Sequence, residues 1–185
     1  MISMRLFVAL KLPEETREWI YRKLVSKIPA RVFKRVEEAN LHITLSFIGE
    51  ASKEYAAEAK EKLSRIKFAG FGAKLSDIGS FGSRVVWLGV KEGEREISGL
   101  AEKISEALGM RVERFHAHVT LARGKNADRE ETEKLLSELA KEKFGADLEV
   151  GGFALMESNL TPAGPAYGEV CWFSASTLRS RESGL

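Results

Sequence analysis

The sequence predicts an α+β protein of two pseudo-symmetric lobes, each an antiparallel sheet with helices on its outer face, around a central cleft. The first observation is a repeated motif, His-x-Thr-Leu, at residues 42–45 and 118–121. The second is that a helix-capping residue follows each motif about ten residues later, Ser52 and Asp128. The third is that predicted strands and helices alternate around both copies. A repeated order of this kind indicates two similar lobes that share one core.

Length and composition favour a compact globular domain. They do not indicate an extended or strongly basic chain. The 185 residues, 44% of them hydrophobic, suit one bilobal domain over residues 1–185. Lys and Arg number 29 against 27 Asp and Glu, which leaves a net charge of +2. This balance excludes a globally basic nucleic-acid-binding protein, so any RNA site must be a local patch.

Other sequence features concern the compartment rather than the activity. Cys171 is the only cysteine, which excludes an internal disulfide. The apolar stretch 6–10 lies between charged residues and is too short for a signal peptide core or a membrane span. We therefore expect a cytoplasmic protein without membrane contact. Glutamine is absent while Glu and Lys are plentiful, a bias typical of hyperthermophile proteins.

The first half of the chain reads as three strands and two helices. Residues 5–10 form a continuous apolar run, typical of a buried strand. Pro13 suits the start of a helix, with Glu14 and Glu15 in the first turn where the helix dipole favours negative charge. Ser52 is expected to cap the next helix, which reaches about residue 66. The further predicted strands are 31–36 and 41–48.

The second half repeats this alternation. A Gly- and Ser-rich turn, 79–83, is expected to join two strands, and Gly109 suits the end of a helix that starts at Glu94. Asp128 is expected to cap the last helix, and Pro162, Gly164 and Pro165 mark a loop. The predicted strands are 68–78, 84–90, 119–122, 150–156 and 167–175, and the predicted helix from Glu94 ends at residue 108.

The two motifs place the same residue types on one face of a strand. Successive strand side chains alternate between faces, so His42 shares a face with Thr44, and His118 with Thr120. The apolar residues between them can pack under helices. If a two-fold relates the lobes, both polar pairs meet across one cleft. The sequence thus predicts two imidazoles and two hydroxyls around a single point.

Two imidazoles and two hydroxyls around one point are suited to the cleavage of a phosphodiester. One group must take a proton from the attacking oxygen, and another must give a proton to the leaving oxygen. Histidine can do either near neutral pH because its ordinary pKa is about 6.5. Threonine hydroxyls can donate hydrogen bonds to the non-bridging phosphate oxygens, where charge concentrates in the transition state.

The paired motifs resemble those that define the 2H phosphoesterase superfamily. Within it, the chain is similar to the RNA 2′,3′-cyclic phosphodiesterases, historically called 2′-5′ RNA ligases. The resemblance covers most of the chain and rests on residues 4–10, 41–50, 84–90 and 155–158. It implies hydrolysis of RNA 2′,3′-cyclic phosphate ends to 2′-phosphate, without a cofactor or metal ion. It also implies that some relatives join RNA ends through a 2′-5′ linkage without ATP.

The resemblance assigns roles to particular residues. His42 would be the proton donor and His118 the proton acceptor, while Thr44 and Thr120 would bind the substrate phosphate. The substrate would be RNA with a 2′,3′-cyclic phosphate end, tRNA fragments among the candidates, and the protein is expected to be a monomer. One departure from the family pattern is Ala117, which stands where a proline usually precedes the second catalytic histidine.

Three further residues are candidates outside the motifs. Arg123 directly follows the second motif and could face the phosphate, although a surface role fits its position equally well. Phe81 lies in the turn 79–83 and Arg84 directly follows it, and these residues could stack on a base or contact the RNA backbone. Core packing is the alternative for Phe81.

Two rival functions stay open at this point. His116 and His118 lie two apart on one strand face, and His42 could complete a three-histidine zinc site. That arrangement leaves the matching threonines unexplained. The second rival is a non-catalytic protein that binds RNA ends through the Thr and Arg residues. Binding alone does not need two titratable imidazoles.

Overall fold

The computed structural model describes residues 3–111, 115–162 and 164–176, and this part of the chain contains nine strands and four α-helices. The strands are β1 (Met4–Lys11), β2 (Phe33–Arg35), β3 (His42–Ala51), β4 (Phe71–Phe81), β5 (Val85–Glu92), β6 (His118–Gly124), β7 (Ala146–Val150), β8 (Gly152–Thr161) and β9 (Gly164–Ser174). The helices are α1 (Glu14–Lys23), α2 (Lys53–Ser64), α3 (Glu94–Ala107) and α4 (Arg129–Leu139).

The strands form one strongly curled sheet in the order β7-β4-β5-β6-β3-β1-β8-β9, with β2 paired to β6. Every pairing between named strands is antiparallel. One lobe consists of β3, β1, β8 and β9, and the other of β6, β5, β4, β7 and the short β2. The predicted fold class is confirmed. The lobes are not the two halves of the chain, however, because β8 and β9 return to the first lobe and β2 crosses to the second.

All four helices contribute to the same apolar core as one face of the sheet. Their buried residues include Ile20, Leu63, Ile104 and Leu139, one from each helix. These residues belong to one cluster with alternate strand residues such as Leu6, Val8, Leu10, Leu88 and Val119. Burial of each such side chain stabilises the fold by about 1.5–3 kcal/mol. The sheet face that carries His42, Thr44, His118 and Thr120 is hereafter the cleft face.

The curl of the sheet is visible at Gly151. This single residue separates β7 from β8, although the two strands belong to different lobes and lie far apart in the strand order. The ends of the sheet must therefore approach each other. The backbone carbonyl of Gly151 accepts a hydrogen bond from Ala175, and Ser176 donates to the carbonyl of Phe68, which ties β9 to the start of β4.

Helix ends agree with the sequence-based expectations. The Ser52 hydroxyl accepts a hydrogen bond from the backbone N–H of Tyr55 at the start of α2. Asp128 and Glu131 form a reciprocal capping box at the start of α4. Gly109 follows α3 with a φ of 68°, the left-handed conformation that glycine adopts without strain.

One strand prediction and one loop prediction were wrong. The sequence predicts one strand over 150–156, but β7 ends at Val150 and β8 begins at Gly152. Gly151 and Gly152 lie at this break and were its signal in the sequence, since adjacent glycines mark turns. The predicted loop around Pro162 is only a hairpin turn, because β8 and β9 continue their pairing as far as Thr161 and Gly164.

Candidate active site

The first motif lies at the start of β3, and its residues alternate between core and cleft as expected. Ile43 and Leu45 are buried in the core, whereas His42 and Thr44 are half-buried on the cleft face. The Nε2 atom of His42 lies 2.9 Å from the hydroxyl oxygen of Thr44. The histidine and threonine of this motif are therefore in direct contact.

The second motif opens β6 in the same way. Val119 and Leu121 are fully buried, and His118 and Thr120 are half-buried on the cleft face. Among the residues that the structure describes, His118 Nε2 makes no hydrogen bond comparable to the one between His42 and Thr44. The second imidazole therefore leaves this nitrogen available in the cleft.

Both imidazoles are oriented by the same backbone contact. Nδ1 of His42 lies 2.7 Å from the carbonyl oxygen of Asn40, and Nδ1 of His118 lies 2.7 Å from that of His116. A carbonyl oxygen only accepts hydrogen bonds, so Nδ1 must carry a proton in each ring. Nε2 is consequently the nitrogen that gains and loses a proton, and it is the one on the cleft side.

The two motifs meet at their own central residues. Ile43 is paired with Val119 in an antiparallel bridge, and this bridge joins the two lobes. The histidines are close enough to interact electrostatically, since positive charge on His118 lowers the pKa of His42. The structure thus brings together the four residues that the sequence placed around one point.

Burial is the main influence on both imidazoles. It lowers the pKa of His42 below the ordinary value of 6.5, opposed by the hydrogen bond to Asn40. It also lowers the pKa of His118, opposed by the hydrogen bond to the His116 carbonyl. The charge of Arg123 lowers the pKa of both histidines further, which places this guanidinium within electrostatic range of both rings.

A bulge explains how Arg123 reaches the cleft. Simple alternation from His118 would turn Arg123 toward the core. The pairing of β5 with β6 skips Leu121, however, because Val86 pairs with Ala122 and Trp87 with Thr120. The extra residue reverses the alternation, so that Arg123 is exposed on the cleft face.

The first motif contains the same bulge. The pairing of β1 with β3 skips Leu45, because Val8 pairs with Ser46 and Ala9 with Thr44. Phe47 consequently pairs with Phe7 and points to the cleft face. Sequence reasoning missed both bulges. A signal was available only in the second motif, where the apolar Leu121 and Ala122 are adjacent and the charged Arg123 follows them.

The end of the cleft near Arg123 is basic. Lys34 on β2 is directly paired with Arg123 on β6, and both side chains are exposed. Within the described residues, neither forms a salt bridge with a carboxylate. Like charges at directly opposite positions destabilise a strand pair, and a bound anion relieves this repulsion.

The candidates Phe81 and Arg84 lie at the tip of the β4–β5 hairpin. Phe81 is 40% exposed, and its ring centre lies 5.1 Å from that of His118 in an edge-on arrangement. It also contacts Trp87, whose ring covers Gly79 so closely that a Cβ there would lie 2.2 Å from the indole. Arg84 is exposed, and its backbone carbonyl accepts a hydrogen bond from Gly124. The hairpin therefore places Phe81 against a motif histidine.

The first lobe provides a second aromatic wall that the sequence did not indicate. The rings of Phe7 and Tyr167 lie 5.1 and 5.3 Å from that of His42. A cavity of about 150 Å³ adjoins His42 and is lined by Tyr167, Met156, Arg17 and the ion pair between Lys11 and Glu169, among others. Tyr167 reaches this site from the distant β9, so no local pattern could have identified it.

His116 has a different environment from the two motif histidines. Its Nδ1 lies 3.0 Å from a carboxylate oxygen of Glu94 at the start of α3. Its backbone carbonyl, rather than its side chain, orients His118. No three His, Cys, Asp or Glu side chains converge as a metal-ligand set within residues 3–111, 115–162 and 164–176. The geometry therefore gives the three-histidine zinc alternative no support.

No helix in the described part of the chain is long and apolar enough to cross a membrane.

Comparisons with known proteins place this site in a family. The family model of the 2′-5′ RNA ligase superfamily matches residues 13–162, which include both motifs. A protein of Archaeoglobus fulgidus named RNA 2′,3′-cyclic phosphodiesterase is 39% identical over 175 residues, covering 90% of this chain and 98% of the relative. A protein of the same name from Aeropyrum pernix is 42% identical over 144 residues, covering 72% and 81%.

A comparison with solved protein structures leads to the same family. A crystal structure of Escherichia coli LigT complexed with phosphate matches with a TM-score of 0.77 and 28% sequence identity, over 95% of this chain and 99% of that chain. The resemblance predicted from the paired motifs is confirmed: the chain belongs to the 2′-5′ RNA ligase superfamily, a family of 2H phosphoesterases.

Proposed function

We propose that this protein hydrolyses RNA 2′,3′-cyclic phosphate ends to 2′-phosphates by two-histidine acid–base catalysis without a metal ion. The observation that carries the proposal is the matched pair of imidazoles, each with Nδ1 held by a backbone carbonyl and Nε2 left to exchange a proton. The names of the relatives from Archaeoglobus fulgidus and Aeropyrum pernix support the choice of substrate.

In the proposed reaction, a water molecule attacks the phosphorus of the cyclic phosphate. Nε2 of neutral His118 accepts the proton of that water. The bond between phosphorus and O3′ breaks, and Nε2 of protonated His42 gives its proton to O3′. The phosphate remains on O2′. Each histidine then has the protonation state of the other, and exchange with solvent restores both for the next turnover.

The lowered pKa values suit these roles in different ways. A neutral His118 is ready to act as a base near neutral pH because burial disfavours its charged form. His42 must be protonated to act as an acid, although burial lowers its pKa as well. The negative charge of a bound cyclic phosphate favours the imidazolium, and would therefore raise the pKa of His42 as the substrate binds.

The two threonines would stabilise charge on the phosphate. When Nε2 of His42 is unprotonated, it accepts the hydroxyl proton of Thr44 over 2.9 Å. Protonation of Nε2 releases that hydroxyl, which can then donate to a non-bridging phosphate oxygen. Thr120 occupies the matching position in the second motif. Hydroxyls aimed at the developing charge need no reorganisation during the reaction.

Arg123 is the proposed cation for the substrate phosphate because its charge acts on both histidines. Phe81 and Arg84 remain proposed contacts to RNA at the hairpin tip.

A 5′ ribose hydroxyl in place of water would give a 2′-5′ linkage without ATP, so ligation is compatible with the same groups. One chain supplies both motifs, and we therefore propose that the monomer is active. Fragments of tRNA are among the proposed substrates.

The test is incubation with a short RNA that ends in a 2′,3′-cyclic phosphate, followed by determination of the end chemistry of the product. We expect a 2′-phosphate. Exclusive recovery of a 3′-phosphate would overturn the assignment of O3′ as the leaving oxygen. Tight binding without turnover would instead favour the non-catalytic RNA-end binding protein. The matched negative control is the His42→Asn and His118→Asn double variant, in which each amide can still donate to the backbone carbonyl.

A further inference from the structure

The two backbone carbonyls that orient the motif histidines lie outside the strands. Asn40 and His116 supply them, and each precedes its histidine by two residues. β3 begins only at His42 and β6 only at His118, so neither Asn40 nor His116 belongs to a strand pair. Contacts other than the sheet pairing must therefore fix the direction in which these two carbonyls point.

The side chain of Asn40 is anchored to a distant part of the chain. Its Nδ2 atom donates a hydrogen bond of 2.7 Å to the backbone carbonyl of Pro165, which is 125 residues away on β9. The backbone N–H of Asn40 donates to the carbonyl of Glu37. Both the N–H and the side chain of Asn40 are thus held, and its own carbonyl is directed at Nδ1 of His42.

The side chain of His116 is anchored to a helix. Its Nδ1 atom lies 3.0 Å from a carboxylate oxygen of Glu94, the first residue of α3. An ionised carboxylate only accepts hydrogen bonds, so Nδ1 of His116 donates. The imidazole is also packed, since its ring centre lies 4.7 Å from that of Trp87 and 6.1 Å from that of His118. Because the ion pair is half-exposed, it adds little to stability, and its effect is on geometry.

The two motifs therefore share an arrangement that their sequences do not share. In each, the residue two positions before the histidine offers its carbonyl to Nδ1, and its side chain is bonded to another element of the fold. One anchor joins an amide to a carbonyl, and the other joins an imidazole to a carboxylate. Because unrelated residue types build the same arrangement twice, the arrangement itself is the useful property.

We propose that two side-chain tethers fix the tautomer and the ring direction of the motif histidines. Asn40 is the tether of His42. His116, held by Glu94, is the tether of His118. These tethers are positioning residues, since they act through the histidines and not on the substrate. The inference rests on the proposed function, which it deepens by naming the groups that keep Nε2 of each histidine available for proton transfer.

The tautomer matters because a neutral imidazole carries a single proton. The hydrogen bond made at one ring nitrogen decides which nitrogen holds that proton. If the carbonyl of His116 turned away, the proton of His118 would no longer be held at Nδ1 and would also occupy Nε2. A protonated Nε2 cannot accept the proton of the attacking water.

The experiment reads the tautomer of each imidazole directly. The chain contains only three histidines, so the two-bond ¹H–¹⁵N correlation spectrum of the full chain can be assigned with the His42→Asn and His118→Asn variants. Burial lowers the pKa of both motif histidines below 6.5, so both rings are neutral at about pH 8. We expect the proton on Nδ1 in both rings of the wild type.

Each tether serves as the control for the other. Asn40→Ala should move the proton of His42 toward Nε2 and leave His118 as in the wild type. Asn40→Asp keeps the size of the side chain but cannot donate a hydrogen bond when ionised, so it should have the same effect. Glu94→Ala should change His118 and leave His42 unchanged. Glu94→Gln should retain the wild-type tautomers, because its amide oxygen still accepts a hydrogen bond.

The tethers should affect kcat and leave KM unchanged, since neither contacts the substrate. We expect kcat for cyclic-phosphate hydrolysis to fall by about 2- to 10-fold in Asn40→Ala and in Glu94→Ala, the usual effect of losing one hydrogen bond. The carbonyls themselves remain in these variants. The losses should therefore be far smaller than those caused by removal of His42 or His118.

The outcomes distinguish this inference from the proposed function. A wild-type tautomer of His42 in both Asn40 variants, or of His118 in Glu94→Ala, would overturn the tethers. A change in both rings from either single variant would also overturn them, because that pattern indicates a general loosening of the cleft. The tautomer measurement needs no turnover. It therefore still decides the inference if the wild type does not hydrolyse a cyclic phosphate, a result that would overturn the proposed function alone.

Discussion

Ile43 and Val119 pair with each other across an antiparallel bridge between β3 and β6, and each is the central residue of its own motif. The pairing places the two motifs side by side in opposite directions. One face of the bridge lies in the apolar core, where both residues are fully buried. The other face therefore holds the histidines and threonines of both lobes around one point.

Replacement of either motif histidine should abolish most of the activity. His42→Ala and His118→Ala should each reduce the rate of cyclic-phosphate hydrolysis by about 10²–10⁴-fold, the usual contribution of a positioned proton-transfer group. His116→Ala should lose much less, because its backbone carbonyl rather than its imidazole orients His118. Single-turnover rates with a saturating RNA substrate provide the measurement. A His116 variant as damaged as the other two would contradict the assignment.

The threonines should matter for the transition state. Thr44→Val and Thr120→Val keep the shape of the side chain but remove the hydroxyl. We expect each to lower kcat by about 10- to 150-fold, since hydrogen bonds to charged groups are worth about 1.5–3 kcal/mol. A conservative control is Thr44→Ser and Thr120→Ser, which should retain most of the activity. Wild-type kcat in the valine variants would remove the hydroxyls from the mechanism.

Arg123→Ala should raise the pKa of both motif histidines. The guanidinium lowers both values in the wild type, so its removal must shift both upward. Titration of the imidazole Cε1 protons by NMR gives the measurement. Lys125→Ala removes a nearby exposed cation and should not reproduce the paired shift. The Arg123 variant should also bind inorganic phosphate more weakly, and unchanged affinity would exclude Arg123 from the phosphate site.

Stability should fall as the pH decreases below about 6.5. Burial lowers the pKa of His42 and His118 in the folded state, whereas the unfolded state keeps the ordinary value near 6.5. Below that pH the unfolded chain binds more protons than the folded one, so the free energy of unfolding decreases. Urea unfolding between pH 7.5 and about 5.5 tests this, before carboxylates titrate. The His42→Asn, His118→Asn double variant should show a shallower decrease, and an equal slope would contradict the prediction.

Chelation should leave the activity intact. The proposed steps use two imidazoles for proton transfer and hydroxyl and guanidinium groups for charge, so none of them requires a Lewis acid. The measurement is the rate after prolonged EDTA dialysis, with and without added Zn²⁺. Activity lost on chelation and restored by zinc would favour a metal enzyme. In that case His116→Ala should be as damaging as His42→Ala.

Local sequence patterns were sufficient to predict those structural features whose physical cause lies in neighbouring residues. The caps at Ser52 and Asp128 follow from side chains that bond to backbone N–H groups within the next turn. The alternation of His42 and Thr44 with Ile43 follows from strand geometry alone. The short strand β7 was missed although Gly151 and Gly152 mark its separation from β8, and the two strands pair with different partners, β4 and β1.

The sequence by itself determined the α+β class, the two motifs and the chemistry that two histidines and two threonines can perform, because residue type and strand alternation are properties of adjacent positions. The tertiary structure alone decided that the motifs pair through Ile43 and Val119, and that Tyr167 from a distant strand lies against His42. It also decided that bulges at Leu45 and Leu121 turn Phe47 and Arg123 into the cleft. Strand register and bulges depend on the partner strand, and a sequence read along one chain contains no local record of that partner.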